Sequence, residues 1–266
     1  MAGNGVTLGA YTCFHFVRRR PACLLHALPA KVPRLEGRKL RVPMIDFATA
    51  RRMMVDGQVR PNDVTDLRIT AAMLKLPRER FLPLAKADLA YLDLDIPILD
   101  GADGRPARRM LKPMLLAKLI QAAAVQENDV VLDVGCATGY SSAILARLGH
   151  SVIALEEEPS LAARAKENLA AFGVNNASVA MGPLAGGWPA GAPYDVIVLQ
   201  GATEVEPRAL FPQLRDGGRL VCVRGGSAAG KAMIYRRVET DVSGRPVFDA
   251  AAAVLPGFTA TPAFVF

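Results

Sequence analysis

The chain has 266 residues, of which 51% are hydrophobic, a composition typical of a globular α/β protein rather than a disordered one. Its charge of +7 comes from 32 basic and 25 acidic residues, but eight of those bases and one acid lie in residues 1–43, which leaves 24 of each sign in residues 44–266. The charge therefore gives no reason to expect a nucleic-acid-binding fold. No apolar run reaches the ~18 residues of a membrane span, so membrane contact is not expected either.

The cysteine and histidine content excludes several kinds of site. The four cysteines show no paired spacing, and residues 44–266 contain a single histidine, His150. A disulfide framework or a zinc site would need more such residues, set closer together. We therefore predict no metal.

Residues 1–43 form a basic arm without sustained periodicity, and three interpretations of it stay open. Arg18–Arg20 precede a short apolar run, as in a secretory signal, but the run is broken by His26 and Pro29. The arm is also rich in arginine and poor in acid, as transit peptides are. The interpretation we favour is a disordered extension, because Met44-Ile-Asp-Phe opens a well-patterned helix.

Residues 44–112 are predicted to form an N-terminal helical subdomain that includes a substrate loop. Apolar residues recur at helical spacing over 45–54 and again over 64–76, where Pro77 ends the second helix. Residues 81–98 are typical of loop and short strand, and residues 100–109 of loop alone.

Residues 113–266 are predicted to form a Rossmann-like α/β domain. Helices are expected over 113–124, 140–148, 159–172 and near 208–214. Strands are expected over 130–134, 151–155, 177–181, 195–199, 219–223 and 232–238, and residues 255–266 could add another. This alternation predicts a mostly parallel, doubly wound sheet.

The segment Val130-Val-Leu-Asp-Val-Gly-Cys-Ala-Thr-Gly-Tyr140 carries the most chemical information. A buried strand runs into a tight turn in which Gly135 and Gly139 would let the backbone approach a ligand closely. One strand later, 21 residues after Gly135, Glu156 is placed to accept hydrogen bonds from two ribose hydroxyls. The spacing predicts a nucleoside-binding site.

Two residues help to decide which nucleoside ligand the site would bind. A dinucleotide fingerprint needs a small residue where Tyr140 stands, which disfavours a dehydrogenase. Asp133 can face the positive end of a nucleoside that carries an amino acid. A glycine turn without any ligand is disfavoured, because strand, turn, helix and distal acid all occur in order.

These residues resemble the protein-L-isoaspartate O-methyltransferases, roughly from Met44 to Val223. The segments Met54-Val-Asp-Gly-Gln58 and Ala72-Met-Leu-Lys-Leu-Pro-Arg-Glu-Arg-Phe81 are similar to that family's N-terminal signature. The segment Leu132–Tyr140 is similar to its cofactor loop. Further similarity lies in Gly186-Gly-Trp-Pro189, Tyr194-Asp-Val-Ile197 and Gly217-Gly-Arg-Leu220.

The resemblance implies a methyltransferase that uses S-adenosylmethionine and methylates isoaspartyl residues of damaged proteins. It also implies a cytoplasmic enzyme that acts as a monomer on protein or peptide substrates. The implied cofactor-binding residues are Asp133, Gly135, Cys136, Ala137, Gly139, Tyr140, Glu156, Glu157, Gly182, Pro183 and Leu184.

The chain departs from the family pattern at the substrate loop and at the cofactor site. Aligned on Pro113, Leu111 stands where the family has its active-site serine, and Arg109 where it has threonine. Leucine neither donates nor accepts a hydrogen bond. Pro183 replaces an acid expected near the adenine, and Ala137 replaces the middle glycine of the cofactor loop.

No catalytic residue is therefore assigned, and Arg109 and Lys112 are the neighbouring candidates. With Arg105 and Arg108 they could form a site for an anionic substrate, although basic runs are more often solvated loops. Three hypotheses remain: methylation of isoaspartate, methylation of another anionic substrate, and a non-catalytic module that binds S-adenosylmethionine. A dehydrogenase ranks behind all of them.

Overall fold

The computed structural model describes residues 45–101, 107–226 and 228–261. The predicted disordered arm (residues 1–43) and the basic residue Arg105 lie outside these ranges.

Two capped helices open the described chain. Helix α1 (Phe47–Met54) begins where the Asp46 carboxylate accepts hydrogen bonds from the first free backbone N–H groups, and it continues into a π-helical turn, Val55–Val59. Helix α2 (Leu67–Lys75) is capped in the same way by Asp66 and ends before Pro77. Each helix buries one apolar face, as its spacing predicts.

The remaining elements alternate between strands and helices, with a small hairpin first. The hairpin pairs β1 (Ile96–Leu99) with β2 (Arg108–Met110). The helices are α3 (Pro113–Ala123), α4 (Tyr140–Leu145) and α5 (Pro159–Ala171). The strands of the large sheet are β3 (Val130–Val134), β4 (Ser151–Glu156), β5 (Ala177–Met181), β6 (Tyr194–Thr203), β7 (Leu214–Gly225), β8 (Gly230–Val238) and β9 (Asp241–Asp249).

Within the described ranges the large sheet has seven strands, in the order β5-β4-β3-β6-β7-β8-β9. The first five are parallel, and β8 and β9 continue the sheet as antiparallel neighbours. The chain runs from β3 outward to β5 and then returns to β6 on the other side of β3. This reversal opens a crevice at the carboxyl ends of β3 and β6, where α/β proteins bind ligands.

Alternate side chains of the central strands belong to two different apolar clusters. One cluster joins Met54 and Leu116 from the helices to Val131 of β3. The other joins Val134 of β3 to Phe258, near the C-terminus, and to residues of two 3₁₀ turns (Leu184–Gly186 and Arg208–Gln213). In the described ranges no helix is long and apolar enough to cross a membrane.

Three local expectations were wrong. Residues 100–109 are not all loop, because Arg108 begins β2. The helix expected over 140–148 ends at Leu145, and the one near 208–214 is a 3₁₀ turn that contains Pro212. Strand β9 was not predicted, because its residues are mostly exposed and lack an apolar pattern.

Candidate functional site

The turn after β3 forms the floor of the candidate site. Gly135 and Gly139 have φ of +76° and +90°, and Ala137 between them has φ of +54°. Left-handed φ angles favour glycine, which explains why a glycine is expected at the position of Ala137. Beyond the turn, a β-carbon at Gly139 would lie 3.3 Å from the backbone of Ala165, so this glycine lets α5 pack closely.

Glu156 ends the neighbouring strand β4 and is completely buried. Three backbone N–H groups donate to its carboxylate: Ala137 at 2.8 Å, Glu157 at 3.0 Å and Glu158 at 3.2 Å. Glu156 therefore faces the glycine turn. Its use by a ribose stays a prediction.

Asp133 is buried under the turn and bonded within the protein. Its Oδ2 accepts hydrogen bonds from the hydroxyls of Ser141 (2.7 Å) and Ser142 (2.6 Å), and its Oδ1 accepts one from Gln200 Nε2 (2.6 Å). Burial raises the pKa of Asp133 to about 6, against the lowering effect of these donors. Asp133 thus ties α4 and β6 to β3, while its predicted contact with a ligand remains untested.

Arg108 occupies the open side of the Glu156 carboxylate. Its Nη1 lies 2.5 Å from Glu156 Oε1 and its Nη2 lies 2.9 Å from Oε2, a two-bond ion pair. Nη2 also reaches the Gly135 carbonyl at 3.4 Å, and the residue is only 4% exposed. The expectation that Arg108 belongs to a solvated basic loop is wrong, because its guanidinium is buried and forms an ion pair with the Glu156 carboxylate.

The C-terminal segment covers the same turn. Leu255 donates its N–H to the Ala202 carbonyl at 2.9 Å, and Ala202 donates to the Ala253 carbonyl at 2.8 Å, which fixes the segment beside the end of β6. A β-carbon at Gly135 would lie 3.1 Å from the Leu255 side chain and 3.3 Å from Arg108 Nη2. The space that Gly135 leaves is therefore filled by the protein itself.

The cavity left beside this turn is small. It measures about 20 Å³ between Leu111, Tyr140 and the glycine turn, whereas pockets for ligands of nucleoside size are roughly 300–1,000 Å³. The backbone and Glu156 have the arrangement that a nucleoside needs, but S-adenosylmethionine does not fit the conformation described.

The segment after β5 borders the predicted adenine end. Gly182 donates to the Glu156 carbonyl at 3.1 Å, and Leu184 is buried and donates to the Glu157 carboxylate at 3.3 Å. Pro183 is exposed and has no side-chain hydrogen-bonding group. Buried Cys136, whose pKa burial raises well above its usual value, is packed in the turn as a neutral thiol.

The three candidates of the substrate loop lie in different environments. Leu111 is 4% exposed, and its carbonyl accepts a hydrogen bond from buried Arg78 at 2.7 Å. Arg109 is exposed, and its Nη1 reaches the Asp95 carbonyl at 3.3 Å. Lys112 is half-buried and borders a separate cleft of about 770 Å³, which Lys118 and Lys231 also line. Leu111 thus faces the small cavity, whereas Lys112 faces the large cleft.

Sequence reasoning missed the residues that fill the site. Leu255 was assigned to a segment that could add a last strand, and Gln200 lay one residue beyond the strand expected over 195–199. Arg108 and Met110 are both buried while Arg109 is exposed, which is the alternation of a strand, but the structure shows this alternation and the residue types do not. In a run of basic residues, that alternation is hard to recognise.

Comparison with known proteins places most of the chain in one family. Residues 51–247 match the model of the family described as "Protein-L-isoaspartate(D-aspartate) O-methyltransferase". A protein-L-isoaspartate O-methyltransferase of Rhodopseudomonas palustris is 37% identical over 188 residues, 71% of this chain and 74% of the relative. One from Anaeromyxobacter is 40% identical over 177 residues, 66% of this chain and 70% of the relative.

Solved structures confirm the predicted fold. A structure named protein-L-isoaspartate O-methyltransferase superposes with a TM-score of 0.65 at 24% identity, covering 79% of this chain and 66% of the other. A Plasmodium falciparum structure that carries the same enzyme name, solved in complex with S-adenosyl-L-homocysteine, gives a TM-score of 0.64 at 16% identity, covering 77% of this chain and 97% of the other. At these identities the likeness establishes the fold alone.

Proposed function

The chain belongs to the protein-L-isoaspartate(D-aspartate) O-methyltransferase family, and on that premise we propose that it methylates the carboxylate of isoaspartyl residues in damaged proteins. Its methyl donor is S-adenosylmethionine, which supplies an electrophilic methyl group when bound. The observation that carries the proposal is the glycine turn after β3, which faces buried Glu156 at the crevice of the sheet. The family match covers this turn together with the N-terminal signature.

Methylation of a carboxylate needs few catalytic groups from the protein. A carboxylate with a reference pKa of ~4 is ionised at neutral pH, so no general base is needed. The chain must hold the acceptor oxygen in line and exclude water. Leu111 is buried and can exclude water, but it offers no hydrogen bond to orient the acceptor.

Cationic side chains beside Leu111 can contribute to acceptor binding. Arg109 is exposed, and Lys112 borders the cleft of about 770 Å³ between α3 and the β8–β9 hairpin. Lys118 and Lys231 line the same cleft, in which Asp249 supplies one opposing charge. This basic cleft also favours a second candidate function, the methylation of another anionic substrate.

We further propose that the enzyme acts as a monomer in the cytoplasm, on proteins or peptides rather than on nucleic acids or membranes. Cys136 and Cys222 are free and buried in the described part of the chain, which is compatible with a reducing compartment. The even balance of charge over residues 44–266 gives no basic footprint for nucleic acid.

Transfer of labelled methyl to an isoaspartyl peptide tests the proposal, with the matched aspartyl peptide as control. We expect transfer to the isoaspartyl peptide alone, and we expect Leu111→Ser to increase it several-fold, because serine can hydrogen-bond the acceptor. Leu111→Ala controls for the space that the smaller side chain opens. No transfer by any of the three folded proteins, or equal transfer to both peptides, would overturn the isoaspartyl assignment and leave the second candidate.

A further inference from the structure

The two oxygens of Glu156 have no capacity left for a ligand. In the described part of the chain they accept five hydrogen bonds, two from Arg108 and three from backbone N–H groups. A carboxylate offers about four lone-pair sites, so these donors saturate it. Two ribose hydroxyls could bind Glu156 only by replacing some of them.

Arg108 is the donor that can be replaced. The N–H groups of Ala137, Glu157 and Glu158 belong to the turn and to the residues that follow β4, so they cannot leave without unfolding the site. Arg108 reaches Glu156 through a long side chain from the short hairpin β1–β2. A rotation of that side chain would free both carboxylate oxygens.

Leu255 blocks the same place independently. Its side chain lies over Gly135 and also over Gly201, where a β-carbon would lie 2.7 Å from Leu255 Cγ. Residues 252–258 thus close the crevice from the β6 side, whereas Arg108 closes it from the β2 side. A cavity of about 10 Å³ is lined by Arg108 and Leu255, and one of about 20 Å³ lies beside the glycine turn and Tyr140 of α4.

We propose that Arg108 and Leu255 keep the cofactor cleft of this chain closed, and that S-adenosylmethionine binds only when Arg108 leaves Glu156. The inference rests on the proposed function, because it concerns the affinity of that same site for its cofactor. A protein whose binding-competent state is a small fraction of the population binds more weakly by that fraction. Arg108 therefore lowers the cofactor affinity of the chain.

Calorimetric titration with S-adenosyl-L-homocysteine tests the role of Arg108 without any methyl acceptor. The variants are Arg108→Ala and, as the control, Arg245→Ala, which lies exposed on the edge strand β9. We expect the dissociation constant of Arg108→Ala to be at least ~10-fold below that of the wild type, and that of Arg245→Ala to be within ~2-fold. Equal or weaker binding by folded Arg108→Ala, including no binding by either protein, would overturn the proposal.

A second measurement uses the wild-type chain, in case Arg108→Ala fails to fold. Amide hydrogen exchange is followed with and without saturating S-adenosyl-L-homocysteine. We expect exchange to become faster in residues 108–110 and 252–258, because opening the cleft frees the Leu255 N–H from the Ala202 carbonyl. Slower or unchanged exchange in both segments would show that the ligand binds without opening the cleft, and would overturn the proposal.

These results are separate from those of the methyl-transfer assay. If Arg108→Ala binds the ligand tightly but transfers no methyl to isoaspartyl peptide, the proposed substrate is wrong and the closed cleft stands. If the wild type binds as tightly as Arg108→Ala and transfers methyl, the closed cleft is wrong and the proposed function stands.

Discussion

At the scale of single residues, burial decides the properties of the candidate site more than residue type does. Arg108 and Arg109 are neighbours in sequence, yet one is buried against Glu156 and the other is exposed. Asp133 shows the same control of chemistry by position, because its carboxyl group is fully buried beneath the turn. An ionised carboxylate in such a place is costly, and the cost appears as a raised pKa.

The raised pKa of Asp133 predicts how stability depends on pH. The pKa is about 6 in the folded protein against 3.8 for a free aspartate side chain, so the folded state holds the proton more tightly. The contribution of Asp133 to stability is therefore complete below about pH 4 and is lost as the pH rises through 6. We expect the free energy of unfolding of the wild type, relative to Asp133→Asn, to fall by about 2 kcal/mol between pH 4 and 7.

Asparagine is a suitable replacement at this position because it keeps the size of the side chain and does not titrate. The hydroxyls of Ser141 and Ser142 can rotate to accept from its amide. Urea unfolding of both proteins across the pH range measures the difference. A difference that stays constant or increases with pH would contradict the raised pKa.

The site was predictable from sequence where backbone geometry dictates the residue. Gly135 and Gly139 occupy left-handed positions, and Glu156 follows from the regular length of one strand–helix–strand unit. Arg108 was not predictable in the same way. Whether an arginine faces solvent or a buried carboxylate depends on which other strand ends beside it in the fold. Glu156 lies 48 residues from Arg108 in sequence, so the local sequence around Arg108 does not show the pairing.

At the scale of elements, the C-terminal end of α3 is stabilised by β7, a strand that lies much later in the sequence. Helix α3 stops at Ala124, which has φ of +47° and leaves backbone carbonyls without helical partners. Arg219 of β7 donates to the carbonyls of Ala123 and Ala124, each at 2.7 Å, and to Asp129 Oδ2 at 2.5 Å. One buried side chain therefore joins a helix end to the sheet.

Replacement of Arg219 should be strongly destabilising. Arg219→Met keeps most of the volume, but it leaves Asp129 and the carbonyls of Ala123, Ala124 and Asp195 without this donor, and we expect a loss of roughly 3–5 kcal/mol in the free energy of unfolding. Arg215→Met on the same strand is the matched control, because its ion pair with Asp195 at 3.1 Å is half exposed. That change should cost less than about 1 kcal/mol. Equal losses in the two variants, measured by urea denaturation, would disprove the capping role.

Prediction of the elements succeeded where a strand is buried on both sides. Strands β3, β4 and β6 each contain a run of three or four consecutive apolar residues, as strands of parallel sheets do. Strand β9 lies at the exposed edge of the sheet and contains Gly244 and Pro246, which weaken any strand pattern. Strand β2 is three residues long and contains two arginines, so that only its pairing with β1 identifies it.

At the scale of the whole molecule, the segment that closes the cleft lies beyond the family match. That match ends at residue 247, whereas Leu255 and Phe258 are buried in the same apolar cluster as Val134 of β3. The family fold thus acquires part of its core from the last described residues. Residues 252–258 consequently contribute both to the stability of the fold and to the closure of the cleft.

Because of this dual role, we expect Leu255→Ala and Leu84→Ala, which remove the same atoms, to differ strongly in the free energy of unfolding. Leu255 is 4% exposed and Leu84 is 91% exposed. Leu255→Ala removes buried methyl groups and leaves a cavity over Gly135, so we expect it to lower the free energy of unfolding by about 2–5 kcal/mol. Leu84→Ala should stay within about 0.5 kcal/mol of the wild type. Urea denaturation, with coincident fluorescence and circular dichroism transitions, measures both.

The cofactor adds a second readout to the same pair of variants. Leu255→Ala should gain more thermal stability from saturating S-adenosyl-L-homocysteine than Leu84→Ala does, since ligand binding would no longer have to displace the leucine side chain. A Leu255→Ala protein that is as stable as Leu84→Ala would mean that residues 252–258 do not dock on the sheet in solution. In that case Arg108 alone would have to close the cleft, and the two substitutions would respond equally to the ligand.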